Sequence, residues 1–250
     1  MPFGKVLHVV GVHTAGEVCD VVGGVLDVPG KTMYEKMMHL WRKEDGMRQL
    51  LLNEPRGCSA MCHNLVLPPC NPDADVGFII MEHEEYPPMS GANTIATVTV
   101  LIETGMVSVQ EPITHVKLDT PAGLVTVDAE VNGGKVKSVS FHNVPAFVFE
   151  LDVEINVPEL GPIKIDVVWG GMIYAIVDVQ KLGVEIASKN GRKLVELGER
   201  IKRAAQEQTD YVHPENPGIR GISVLEFTEP LSSHDQEGFV ANNTVVVSPG

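Results

Sequence analysis

No stretch of this chain constrains its fold more than the one from Pro87 to Gly105, reading PPMSGANTIATVTVLIETG. Its Thr97, Val98, Thr99 and Val100 are β-branched and suit a strand. As a helix, the same residues are apolar almost all round, which is stable only when other elements bury every side. Gly105 would then supply the C-terminal stop. Ser90 and Gly91 would fall at the N-terminus, where unpaired backbone N–H groups and partial positive charge offer a seat for a carboxylate. Ser90 is equally an ordinary N-cap residue. The residues alone leave both choices open.

The chain has 250 residues, 44% of them hydrophobic, enough for one large core or two modest ones and too many for a disordered chain. With 33 acidic against 19 basic residues, the net charge of −14 argues against nucleic acid or an anionic membrane as a partner. An anionic substrate would have to be held by local dipoles. No apolar run approaches the ~20 residues of a membrane span, and the first residues lack the apolar core of a signal peptide. A cytoplasmic location is therefore expected. Cys19, Cys58, Cys62 and Cys70 are too few for a disulfide scaffold. Three of them lie close to His63, but Cys58 and Cys62 are badly spaced for zinc and no second ligand pair follows. No metal site is expected, and the cysteines read as small hydrophobes.

Short strands dominate the pattern. Val6–Val12 and Val76–Met81 are compact Val/Ile-rich runs, and 124–131 and 136–141 flank the hairpin signal Asn132-Gly133-Gly134. Thr32 and Glu35 form a capping box ahead of Met33, Met37, Leu40 and Trp41 on one helix face. A second helix carries a stripe of Leu194, Leu197, Ile201 and Ala205, with Glu196, Glu199, Lys202 and Arg203 elsewhere on its surface. Asp119-Thr120-Pro121-Ala122-Gly123 reads as a boundary, giving two α/β units at 1–120 and 121–250.

Several short motifs together resemble the proline racemase family, which includes hydroxyproline 2-epimerases and trans-3-hydroxyproline dehydratases. They are His13-Thr14-Ala15-Gly16-Glu17, Glu54-Pro55-Arg56-Gly57, Met89-Ser90-Gly91 with Thr94-Ile95 and Glu103-Thr104-Gly105, the run Gly170–Asp178, and His213-Pro214-Glu215. The resemblance covers essentially the whole chain, in order. It implies a mixed α/β (α+β) fold similar to diaminopimelate epimerase, with two pseudo-symmetric domains, each a curved sheet around a central helix. Residues 91–104 become the first such helix. It further implies a cofactor-independent isomerase that moves the Cα proton of hydroxyproline or proline. Ser90 takes the first acid/base position, and the amides of Gly91, Ala92 and Asn93 hold the substrate carboxylate. His234 is a further candidate contact to the substrate amine or hydroxyl.

Two departures qualify the resemblance. Many members carry cysteine where this chain has Ser90, and a histidine where it has Ala92. A thiolate is accessible near neutrality at a helix end, whereas a serine hydroxyl needs a neighbouring base. A serine-bearing subgroup is the expectation. The family's second acid/base motif, an Asp-Arg-Ser-Pro-Cys-Gly-Thr-Gly stretch, follows the segment resembling Asn242–Gly250 and has no match in this sequence. The second domain is thus expected to lack its C-terminal part and its central helix. About six large side chains, at roughly 1.5–3 kcal/mol each, would be missing from its core. A homodimer is one way to complete it. Dehydration of 3-hydroxyproline, which needs no proton return, is the alternative activity. An inactive remnant or imino-acid-binding protein is the alternative from another class. Of the other candidates, Arg56 reads as a salt-bridge residue, His13 and Glu17 as loop-ordering residues, and Asp178 as a strand end.

Overall fold

The apolar segment is a helix, and the sheet of its unit is wrapped round it. This computed structural model describes residues 6–24, 27–234 and 238–247, and the chain divides into two compact units at Val144/Pro145. In chain order the first unit holds β1 (His8–Val10), β2 (His13–Thr14), β3 (Glu17–Gly23), α1 (Met33–Lys43), α2 (Gly46–Leu52), β4 (Met61–Leu67), β5 (Val76–Met81), α3 (Gly91–Glu103), β6 (Ile113–Thr120), β7 (Gly123–Asn132) and β8 (Lys135–His142). Its sheet runs β1-β3-β4-β5-β6-β7-β8, with β2 added on β3. Helix α3 packs against β2, β3 and β4 near one end of that order and against β7 and β8 at the other. One helix can touch both ends only if the sheet curls around it. Ala96, Val98, Val100, Leu101 and Ile102 are buried in consequence, and tertiary burial overrides the strand preference of the β-branched run.

On the other face of the sheet α1 packs on β5 and β6, and α2 on β4. Met33, Met37, Leu40, Leu51 and Leu52 join Leu65, Leu67, Ile79 and Met81 in one cluster there. Covered on both faces, β5 is buried throughout. The Thr32 hydroxyl caps α1 by accepting from the Glu35 N–H at 3.1 Å, while the Glu35 carboxylate accepts from the Lys31 N–H rather than closing on Thr32 itself. Trp41, expected on the buried face, is 40% exposed and leans on Tyr86 at the rim.

The expected boundary at 119–123 is not a linker. Thr120 and Gly123 are paired across a tight β6–β7 turn, and Asp119 accepts the Cys70 and Asn71 N–H groups at 2.7 and 2.8 Å. The hairpin expected to open the second unit, turning at Gly133-Gly134 with positive φ at both, instead completes the first sheet. Its β8 edge is needed to cover α3.

The second unit comprises β9 (Phe147–Val157), β10 (Gly161–Trp169), β11 (Ile173–Asp178), α4 (Gly191–Gln208), β12 (Val224–Thr228), β13 (Ser232–His234), β14 (Gly238–Val240) and β15 (Asn243–Val246). Its main sheet is β15-β12-β11-β10-β9, and β13-β14 form a separate ribbon. Helix α4 packs on β9, β12 and β15. Leu194, Ile201 and Ala205 are buried as its stripe predicts, with Leu197 half-buried. Lys202, expected on the solvated side, is buried and paired with Glu199 at 2.9 Å. On the sheet's second face, cross-strand neighbours Val148, Val168 and Tyr174, and Ile176, Glu226 and Val245, are only partly covered; Val148 is 55% and Val245 44% exposed. Asp178 ends β11 as expected and accepts the Gln180 N–H. Residues 248–250 of the Asn242–Gly250 stretch lie outside the described residues.

Gly57 shows why the Glu-Pro-Arg-Gly motif ends as it does. A Cβ at this position would lie 2.3 Å from the Leu51 carbonyl oxygen and 2.5 Å from Leu52 Cα, both of them backbone. Gly57→Ala should therefore cost about 3 kcal/mol or more, through overpacking that no rotamer can relieve. Urea unfolding against the wild type measures it.

Candidate active site

Ser90 occupies the N-cap of α3 with extended backbone, φ −147° and ψ 135°, yet its hydroxyl makes no capping bond. Its carbonyl is used instead, accepting the Thr94 N–H at 3.0 Å and the Thr94 hydroxyl at 2.7 Å. The hydroxyl turns to Asn93, whose Nδ2 donates to Ser90 Oγ at 3.0 Å. The amides of Gly91, Ala92 and Asn93 are thus left uncapped by Ser90. This is the partial positive charge an anion can use. Gly91 is small for a reason: a Cβ there would sit 3.0 Å from Phe141 Cζ of β8.

The His-Thr-Ala-Gly-Glu motif builds the adjoining wall. Ala15 and Gly16, at φ 50° and 99°, make the two-residue turn between β2 and β3. His13 Nδ1 accepts the Gly16 N–H at 3.2 Å, so His13 orders the loop as read from sequence. Thr14 donates its hydroxyl proton to the Ala92 carbonyl at 2.9 Å, tying this loop to the first turn of α3.

Behind that turn lies a polar cluster the sequence reading missed. Cys19 of β3 and Cys62 of β4 are register partners on adjacent parallel strands, and both are buried. The Cys62 thiol lies 3.7 Å from Glu17 Oε1 and 4.0 Å from Glu82 Oε1. Its hydrogen bond with Cys19, its burial, and the negative Glu82 and Glu17 push the thiol well above its ordinary range, with the Asn93 side chain opposing part of the effect. Cys62 is therefore a neutral thiol. Burial, then Glu85 and Glu17, push Glu82 up to about 8. On the opposite face of the same strands, burial lowers His63 despite Asp20 at 3.9 Å. The one signal for this cluster was Glu82 itself, a carboxylate directly after the uninterrupted apolar strand β5.

Ser90, Gly91, Ala92 and Asn93 come together at one helix end, with Glu17 and Cys62 nearby. His234 belongs to the second unit, exposed at the end of β13. Arg56 is exposed and, contrary to expectation, has no ion pair among the described residues. His213 in the second unit accepts two backbone N–H groups and packs edge-on to Trp169, as a loop-ordering residue does. Among the described residues no three His, Cys, Asp or Glu side chains come together as a metal site, and no helix is long and apolar enough to cross a membrane. Cys70 is turned instead toward Met33 Sδ, 3.9 Å away, and Cys58 is exposed.

A curved sheet around a buried helix with its N-terminal amides open defines the epimerase-like class of α/β fold. The proline racemase family model matches residues 9–250. The chain is 41% identical to an uncharacterized protein of Bacillus anthracis over 248 residues, 98% of this chain and 70% of that one. It superposes on a hydroxyproline epimerase from Agrobacterium vitis, solved with trans-4-hydroxy-L-proline bound, with TM-score 0.92 and 36% identity, over 100% of this chain and 72% of that one. A probable proline racemase from Agrobacterium radiobacter K84, solved with carbonate, gives TM-score 0.91 and 38% identity over 98% and 72%. The chain belongs to the proline racemase family and is an enzyme of the isomerase type.

The raised Glu82 predicts a pH dependence of stability. Its pKa is about 8 in the folded protein against an ordinary 4.5, so between those values the folded state binds more protons than the unfolded one. Stability should then fall as pH rises from about 4.5 to 8. Glu82→Gln, which stays neutral, should remove that part of the slope in urea titrations run across this range.

Proposed function

We propose that this protein is a hydroxyproline 2-epimerase-type isomerase, transferring the Cα proton of hydroxyproline or proline. The observation that carries the reading is the Ser90 hydroxyl held off the amides it would ordinarily cap, so that one helix end presents both a carboxylate seat and an adjacent acid/base group. The relative from Agrobacterium vitis, solved with trans-4-hydroxy-L-proline, supports the substrate class.

In this reading the substrate carboxylate lies against the amides of Gly91, Ala92 and Asn93. Deprotonation at Cα spreads negative charge into that carboxylate, and the fixed N–H dipoles hold the charge as it develops. Ser90 Oγ faces one side of Cα, and it takes the Cα proton only as a neighbouring base takes the hydroxyl proton. Inversion needs a second group on the opposite side of Cα. The second unit is read as an incomplete half, and the thinly covered face bearing Val148 and Val245 supports this. A further segment or a second copy of the chain would complete it. His234 remains a candidate contact to the substrate amine or hydroxyl. In the same reading the enzyme is cytoplasmic and needs no cofactor.

Incubation with trans-4-hydroxy-L-proline in D2O, followed by NMR, tests the reading. Deuterium should enter at Cα, and Ser90→Ala should slow entry at least 100-fold, the usual scale of a lost acid/base group. Ser90→Cys should accelerate it, because a thiol at a helix N-terminus ionises far more readily. Binding without exchange in the wild type would identify an imino-acid-binding protein instead. Loss of water from trans-3-hydroxy-L-proline, without epimer, would identify the dehydratase.

A further inference from the structure

Asn93 is 0% exposed, one turn into α3, and its side chain serves no other part of the helix. Nδ2 donates to Ser90 Oγ at 3.0 Å, and the side chain also reaches the Cys62 thiol of β4. Oδ1 is buried without a hydrogen-bond partner. An unpaired buried carbonyl costs stability, and an apolar residue of similar size would avoid the cost. Helix packing alone therefore does not account for an asparagine here. The N-cap hydroxyl has two competing partners, the first-turn amides and the Asn93 amide. For an N-cap serine the usual winner is the N–H two or three residues on, yet here it is the side chain.

We propose that Asn93 is the positioning residue of Ser90: its side-chain amide, seated against Cys62, holds the Ser90 hydroxyl off the helix amides and fixes it as a hydrogen-bond acceptor. Two results follow from that single contact. The first-turn amides stay open for a carboxylate, and negative charge on Oγ during proton transfer meets a donor already in place. With Asn93 removed, the hydroxyl is free to swing back and cap the helix, competing with the anion. This assignment rests on Ser90 being the acid/base group, and its tests are chosen to fail separately from that reading.

The first test needs no turnover. In a Ser90→Cys background, peptide-resolved iodoacetamide labelling across pH reports the pKa of the thiol at position 90. Adding Asn93→Ala should raise that pKa by about one unit, since a donor to the thiolate is lost. Glu17, Glu82 and Glu85 are the titratable carboxyl groups around the cluster, and the substitution leaves them in place. The second test is binding of trans-4-hydroxy-L-proline by calorimetry. Asn93→Ala should weaken it about tenfold with Ser90 present, and should have no effect in Ser90→Ala, where no hydroxyl remains to close the amides. A merely structural role would weaken binding equally in both backgrounds. Thermal melts establish that each variant is folded; for one that is not, Asn93→Leu, similar in size and without a donor, replaces Asn93→Ala with the same expectations. An unchanged thiol pKa, or equal binding losses with and without Ser90, overturns the proposal. Loss of Cα exchange in Ser90→Ala alongside those outcomes would leave the function standing and remove only Asn93.

Discussion

Everything in the first unit depends on burying α3. A helix apolar on all sides has no face it can leave in water, so the sheet must reach it from both of its ends, and β2, β3 and β4 together with β7 and β8 do so. That enclosure settles where the helix begins. The β2–β3 turn is tied through Thr14 to the Ala92 carbonyl, and a Cβ at Gly91 would press on the Phe141 ring of β8 at 3.0 Å. The N-terminal amides are placed by the same packing that stabilises the unit. A site built this way gains rigidity from the core.

At that helix end one hydroxyl decides between two structures. A serine at an N-cap ordinarily closes the helix, as Thr32 does for α1. Ser90 has the N-cap backbone but not the N-cap bond, and the difference is Asn93. Of the polar residues behind it, two are neutral near neutrality, Cys62 as a thiol and Glu82 with its proton held. Holding those two groups neutral next to a seat for a carboxylate limits the like charge set against the ligand.

The family motifs make sense once each is given a mechanical task. Ala15-Gly16 turns the chain between β2 and β3, Gly57 lets the backbone pass within contact of Leu51 and Leu52, and His213 gathers two backbone N–H groups. Where the sequence reading failed, it failed through contacts between distant residues. The 119–123 turn reads as a boundary because a new hairpin and a similar order of elements follow it. Only the pairing of β6 with β7, and the need for β8 against α3, puts the hairpin in the first unit. Lys202 lay off the apolar stripe, yet it is buried with Glu199 for a partner. Trp41 lay on the stripe, yet it sits at the edge of what α1 covers.

Local pattern alone was enough to read the strands at 76–81 and on either side of Asn132-Gly133-Gly134, the capped helix at Thr32, and the likeness of ordered motifs to the proline racemase family. These depend on residues near in sequence, whose spacing and turn chemistry act within a few positions. It also marked Ser90 as a residue of interest, but left it undecided between cap and chemistry. That choice, the helix over the strand, and the assembly of Cys62, Glu82, Glu17 and Asn93 came only with the folded chain. Each depends on what burial brings alongside from another strand, and burial is a property of the whole unit.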